Sequence, residues 1–155
     1  MSETPATKFL TGHGVAFTLR PYEYEEHGGT KVSSQKLGVD EHVVIKTLVF
    51  EDETKAPLLA LMHGDRKVSA RALARQLGVK SVQPCKPEVA QRHTGYQVGG
   101  TSPFGTKKVL RVCCERTITA LPLIFINAGG RGLLCSLDPG ELVRVLGPTL
   151  VDCSS

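Results

Sequence analysis

A chain of 155 residues, 41% of them hydrophobic, can bury one core but is short for two ordinary domains, so residues 1–155 are expected to form one. The N-terminus carries no apolar signal region, and no apolar run approaches the ~20 residues that cross a bilayer. That argues against a membrane protein and gives the expectation of a soluble, cytoplasmic one.

The elements follow from local signals. Thr4-Pro5 starts a helix that Gly12 to Gly14 ends, with Phe9 and Leu10 facing inward. Val15 to Arg20 alternates as a strand, and Glu23 to Gly29 is a polar bend. Ser33 or Ser34 caps a short helix through Leu37, closed by Gly38. Val43 to Phe50 is the strongest strand and pairs as a hairpin with Leu58 to Met62 across the acidic turn Glu51 to Thr54. Ser69 caps an amphipathic helix from Ala70 to Leu77, with basic residues on its polar side. Pro87 opens a helix to Gln91 or Arg92. Strands follow at Val109 to Cys113, Leu123 to Asn127 and Leu133 to Leu137, the last two joined by Ala128 to Gly132. Asp138-Pro139 starts a final helix that Gly147-Pro148 stops. Strands and short helices in mixed order indicate a mixed α/β (α+β) domain.

The formal charge of +4 is uneven. Met1 to Asp65 hold 6 Lys/Arg against 10 Asp/Glu, whereas Arg66 to Ser155 hold 13 against 5. The basic half suits a polyanion, although an ordinary solvated surface reads the same way. With 5% aromatic residues, base stacking on a sheet is not supported. The 5 cysteines show no C-x-x-C pair and no zinc spacing, so they read as reduced, packed thiols, and no metal or cofactor is expected. His13, His27, His42, His63 and His93 are scattered and read as surface or turn residues.

Two features point to chemistry. Thr94 to Gly105 packs four glycines and a proline among polar residues, a shaped loop whose amides can approach a ligand. Lys46 interrupts the apolar run Val43 to Phe50, where an ammonium must snorkel, pair or meet a ligand. Thr47, on a regular strand, faces away from Lys46 and shares a site with it only if the strand bulges or ends there. Tyr22 either closes a pocket or is a half-buried aromatic at a strand end.

Several short pieces recur in order: Tyr22, Lys36-Leu37-Gly38, Lys46-Thr47, Thr94-Gly95-Tyr96, Val98-Gly99-Gly100, Ser102-Pro103 with Gly105, and Gly129 with Arg131-Gly132. In that order and spacing the chain resembles, nearly end to end, the YbaK/EbsC family of free-standing aminoacyl-tRNA deacylases, relatives of the editing domain inserted in bacterial prolyl-tRNA synthetases. The resemblance implies a curved, barrel-like mixed sheet flanked by short helices. It implies mischarged tRNA(Pro) as substrate and prolyl-tRNA synthetase as partner.

The loop looks most like that of the branch that removes cysteine from tRNA(Pro). There the resemblance implies that the substrate's own thiol attacks its carbonyl and leaves as a thiolactone. Lys46 is then the expected catalytic residue. Tyr22, Thr47, Gly99, Gly100, Thr101, Ser102, Asn127, Gly129 and Arg131 are the expected substrate contacts. Amides at Gly99, Gly100 and Thr101 are candidates to hold the oxyanion. Gly129 to Gly132 is either only a hairpin turn or one in which Gly129 lets the turn approach the pocket and Arg131 meets a phosphate or orders the loop. Asn127-Ala128 stands where the family more often has Ser-Gly or Ser-Ala, a change that bears on amino-acid preference. Two alternatives stay open: a deacylase for alanine or serine that uses water, and a tRNA- or synthetase-binding module without chemistry.

Overall fold

The computed structural model describes residues 3–155; Met1 and Ser2 lie outside the described residues. Five α-helices and eight strands run along it. In chain order they are α1 (Pro5–Gly12), β1 (Thr18–Pro21), α2 (Gly29–Leu37), β2 (Val44–Asp52), β3 (Pro57–His63), α3 (Ala70–Leu77) and β4 (Val82–Pro84). They continue with α4 (Pro87–Thr94), β5 (Arg111–Glu115), β6 (Ile124–Gly130), β7 (Leu133–Leu137), α5 (Pro139–Leu146) and β8 (Thr149–Val151). The strands form one mixed sheet in the order β1-β7-β6-β2-β3-β5-β8, with β4 pairing β2 beside that path. No helix among the described residues is long and apolar enough to cross a membrane.

Alternation along the central hairpin sorts side chains onto two faces. Ile45, Leu59 and Leu61 join Cys114, Ile126 and Cys135 in the larger core, which α1 and α5 close with Leu10 and Leu142. Phe50, Leu58, Ala60 and Met62 join Cys113 in a second core, roofed by Leu73 and Ala74 of α3. Adjacent cysteines 113 and 114 thus lie on opposite faces. Burial pushes the Cys114 and Cys135 thiols up to about 12, which keeps them protonated packing groups.

The capping signals at Thr4, Ser69 and Asp138 form as the sequence suggests, each side chain accepting from a first-turn N–H. Elsewhere boundaries move. α2 begins at Gly29, so Ser33 and Ser34 are interior, and their hydroxyls donate back to Thr30 O and Lys31 O instead of capping. β1 starts at Thr18, because Val15 and Phe17 turn into the larger core before pairing begins. β5 starts at Arg111, and Val109 is left fully exposed. β4 and β8, three residues each, carry too little pattern to be seen in sequence.

Two buried polar fixtures hold the ends of this frame. Tyr96 is buried beside Phe104 and donates its hydroxyl to Phe104 O at 2.6 Å, tying the two halves of the glycine loop. Burial pushes its phenol up to about 12. His63, at the end of β3 and 1% exposed, is not a surface residue. Its ring stacks on His42 at 3.7 Å, and its nitrogens bond His42 O at 2.8 Å and Thr117 Oγ1 at 2.7 Å. His42 in turn bonds Asp65 Oδ1 at 2.9 Å. Burial is the largest cause lowering the His63 pKa, and nearby Asp65 and Glu115 oppose it only in part.

Tyr96→Phe should lower unfolding free energy by about 1–3 kcal/mol, since it strands a buried carbonyl; a urea melt measures it. For His63 the folded pKa lies below the unfolded one, so the unfolded chain takes the proton first. Its stability contribution is therefore present above the ordinary histidine value of about 6.5 and lost as pH falls through the window beneath it. Urea midpoints between pH 7 and pH 5, as an approximate window, should fall for the wild type and fall less steeply for His63→Gln.

Candidate active site

The sheet is interrupted beside β2. β6 pairs with it in parallel only at Val44 and Ile45, and β4 antiparallel only from Phe50 to Asp52. Between them residues 46–48 have no outer neighbour, Val49 O accepts from Cys85 N–H, and a cavity of about 730 Å³ opens there. Thr30 and Ser33 of α2, Tyr22, Ala90 of α4, the loop residues Val98, Gly99 and Thr101, and the bare edge of β2 line it. The gap resolves the geometry of Lys46 and Thr47: they leave opposite faces of the strand, yet both line the cavity because it sits on the strand's edge.

Lys46 is half-buried. Among the described residues its ammonium has one hydrogen bond, a long one to Gly64 O at 3.4 Å. Desolvation lowers its pKa from the ordinary lysine value, while Glu41 and Asp65 raise it without coming close enough to pair. Glu41 instead accepts from the Thr30 hydroxyl at 2.7 Å. The cavity thus holds a cation whose charge the protein has not neutralised. Thr47 Oγ1 is buried and, among the described residues, has no hydrogen-bond partner. Such a group is costly unless something else occupies the site.

The glycine loop beside the cavity is held by side chains that grip main chain. Asn127 Oδ1 accepts from Gly129 N–H at 2.6 Å and Gly130 N–H at 3.0 Å. Its Nδ2 donates to Gly130 O at 3.0 Å and Gly99 O at 3.3 Å. These bonds fix the irregular register of β6 between Asn127 and Gly130 and strap the glycine loop to it. Arg131 Nε donates to Val98 O at 3.0 Å, with its guanidinium over the Tyr24 ring at 5.3 Å. These contacts order the loop, and Arg131 also lines the cavity. Gly100 is buried, and a Cβ there would meet Gly130 C at 2.9 Å, so only glycine allows this approach of loop and turn. At Gly99 a positive φ of 92° adds the second such constraint.

Several expected contacts are placed differently. Gly100 N–H is spent on Gln97 O at 2.9 Å, so only the Gly99 and Thr101 amides remain without a protein acceptor among the described residues. Ser102 is fully buried, and its hydroxyl accepts from Phe104 N–H at 3.2 Å, shaping the loop from within. Gly129 packs beneath Tyr96 and Thr4, away from the cavity lining. The Asn127 carboxamide is saturated by main chain, which leaves it little to offer a ligand. Tyr22 does line the cavity, and burial followed by Tyr24 raises its pKa, keeping the hydroxyl a donor.

Tyr24, Thr30 and Cys85 also line the cavity and were not singled out from sequence. Tyr24 had a readable signal: it stands two residues after Tyr22, on the same side of an extended segment. Cys85 had none. Burial, then Glu51, pushes its thiol up to about 11, so it is no thiolate at neutral pH.

The model of the aminoacyl-tRNA editing domain matches residues 27–145. An Enterococcus faecalis protein named "Putative Cys-tRNA(Pro)/Cys-tRNA(Cys) deacylase EbsC" is 28% identical over 146 residues, covering 92% of this chain and 88% of that one. The proline–tRNA ligase of Streptococcus equi subsp. zooepidemicus is 33% identical over 106 residues, 68% of this chain but 17% of the ligase. The crystal structure of "a putative trans-editing enzyme for prolyl tRNA synthetase" superposes with a TM-score of 0.87 at 21% identity, over 99% of both chains. That last likeness establishes the fold, the mixed α/β sheet with its helices. Matched by the domain model over well more than half its length, the chain belongs to the aminoacyl-tRNA editing domain family.

Proposed function

We propose that the chain deacylates mischarged tRNA(Pro), with cysteinyl-tRNA(Pro) as the preferred substrate. The observation that carries this reading is the uncompensated, half-buried Lys46 ammonium, which shares one cavity with the free Gly99 and Thr101 amides. An aminoacyl ester is already activated, so positioning and charge stabilisation suffice for its cleavage. Lys46 holds the ester carbonyl or the terminal adenosine phosphate, and the Gly99 and Thr101 amides belong to the same cavity. Tyr22 closes the wall beside the substrate.

The nucleophile is then the question. Cys85 is held protonated, the Ser33 hydroxyl donates to Thr30 O, and no serine or cysteine in the lining bonds a histidine. A substrate that brings its own nucleophile fits such a site. The cysteinyl sulfur bonds to its own carbonyl carbon, and the bond from that carbon to the ribose oxygen breaks. The thiol proton ends on the ribose hydroxyl, and a cyclic thiolactone leaves. The relatives' names support cysteine and tRNA(Pro), and the ligase match supports a role beside prolyl-tRNA synthetase.

Wild-type protein incubated with cysteinyl- and alanyl-tRNA(Pro) should clear the cysteinyl ester at least about tenfold faster. Clearance of the alanyl ester alone would replace this reading with water-driven editing. Binding without any deacylation, weakening with salt, would leave a tRNA-binding module. Lys46→Met should lower kcat/KM by roughly 100-fold or more while leaving the urea midpoint unchanged or higher, since it removes a desolvated charge. Thr47→Val should be neutral or stabilising by up to about 1 kcal/mol, because the hydroxyl it deletes is unpaired, yet slow deacylation about tenfold.

A further inference from the structure

Over residues 46–49 the β2 main chain, and not only its side chains, faces the cavity. Gly64 N–H donates to Val44 O at 2.7 Å and Asp52 N–H to Ala56 O at 3.0 Å, so even-numbered residues turn their polar groups toward β3. Odd-numbered residues turn theirs outward: Ile45 to β6, Glu51 to β4, and Val49 O to Cys85 N–H at 2.9 Å. Three main-chain groups on that edge have no protein partner among the described residues: Thr47 N–H, Thr47 C=O and Val49 N–H. Polar main chain in a cleft is normally paired, and here nothing in the fold pairs it. The orphaned Thr47 hydroxyl belongs to the same residue.

We propose that the Thr47 main chain reads the aminoacyl group as one β-residue reads another: the substrate's α-ammonium donates to Thr47 O, and Thr47 N–H donates to the ester carbonyl oxygen. The inference rests on the deacylase reading above. In an antiparallel ladder, a residue whose N–H and C=O point the same way exchanges two hydrogen bonds with the residue opposite. An α-aminoacyl ester carries the same donor nitrogen and acceptor oxygen on either side of one Cα, so it satisfies both groups at once.

The length of the gap selects such a short ligand. Three strand residues span about 10 Å, and β6 and the chain entering β4 from Cys85 occupy the edge at the two ends, so a longer peptide strand would collide with them. The Thr47 N–H bond strengthens as the carbonyl oxygen gains negative charge, beside the Lys46 ammonium. Because every amino acid has an α-amine, this contact selects aminoacyl esters over other acyl esters. Choice among side chains is left to the cavity walls.

The test compares cysteinyl-tRNA(Pro) with 3-mercaptopropionyl-tRNA(Pro), which differs only by lacking the α-amine. Each enzymatic rate is divided by the spontaneous rate of the same ester, because the ammonium also activates the carbonyl. The normalised kcat/KM should fall about 100-fold or more without the amine. In parallel, the Thr47 amide resonance of 15N-labelled protein should shift with 3′-cysteinylamino-adenosine, an amide that cannot be hydrolysed as an ester, and not with an extended tetrapeptide. Equal normalised rates, or a Thr47 shift with the tetrapeptide alone, would overturn the inference and leave the deacylase reading standing. Absence of turnover with every aminoacyl-tRNA tried would overturn both.

Discussion

One carboxamide braces the place where the sheet opens. Asn127 bonds four main-chain groups, three of them in the next three residues of its own strand, and this curl takes β6 away from β2 just past Ile45. Had β6 continued straight, its next residues would have covered Thr47, and the edge that floors the cavity would be an ordinary ladder. The fourth bond, to Gly99 O, ties the glycine loop to the same curl. The same side chain therefore braces both the end of the β2–β6 pairing and the loop, and its hydrogen-bonding capacity is used up in doing so.

Electrostatics in the cavity follow from what surrounds it. The acidic groups near Lys46 are engaged elsewhere, Glu41 with Thr30 and Asp65 with His42, so they raise the ammonium's pKa from a distance without cancelling its charge. Burial works against that charge and lowers the pKa from the ordinary lysine value. A cation in this state gains from any ligand that brings negative charge into the cavity. The stacked His42–His63 pair lies just behind, at the end of β3, and holds the β2–β3 frame that presents Lys46.

The glycine-rich loop has a different division of labour from the one its composition suggests. Its polar side chains mostly hold the loop itself: Ser102 bonds Phe104 N–H, Thr101 lies 3.4 Å from Gln97 O, and Tyr96 closes on Phe104 O. What remains for a ligand is main chain. The loop thus brings main-chain amides to the cavity, which cost no side-chain entropy to present, beside the side chains of Lys46, Thr47 and Tyr22.

Local order in the sequence determined the elements: caps at Thr4, Ser69 and Asp138, the hairpin around the acidic turn, and the αL glycines at 38, 78 and 147 each act within a few residues. The same locality marked Lys46, since a charge in an apolar strand is visible without any fold. It could not assign Ser102, Asn127 or Arg131, because the partners that occupy their polar atoms depend on loop and turn geometry that residue identity does not give. Nor could it find His63 in the interior or Cys85 at the cavity, as a single residue carries no period. Only the tertiary structure decided where β6 and β4 stop along β2. That boundary is set by long-range pairing and by one irregular turn, and it alone makes a bare strand edge into the floor of a site.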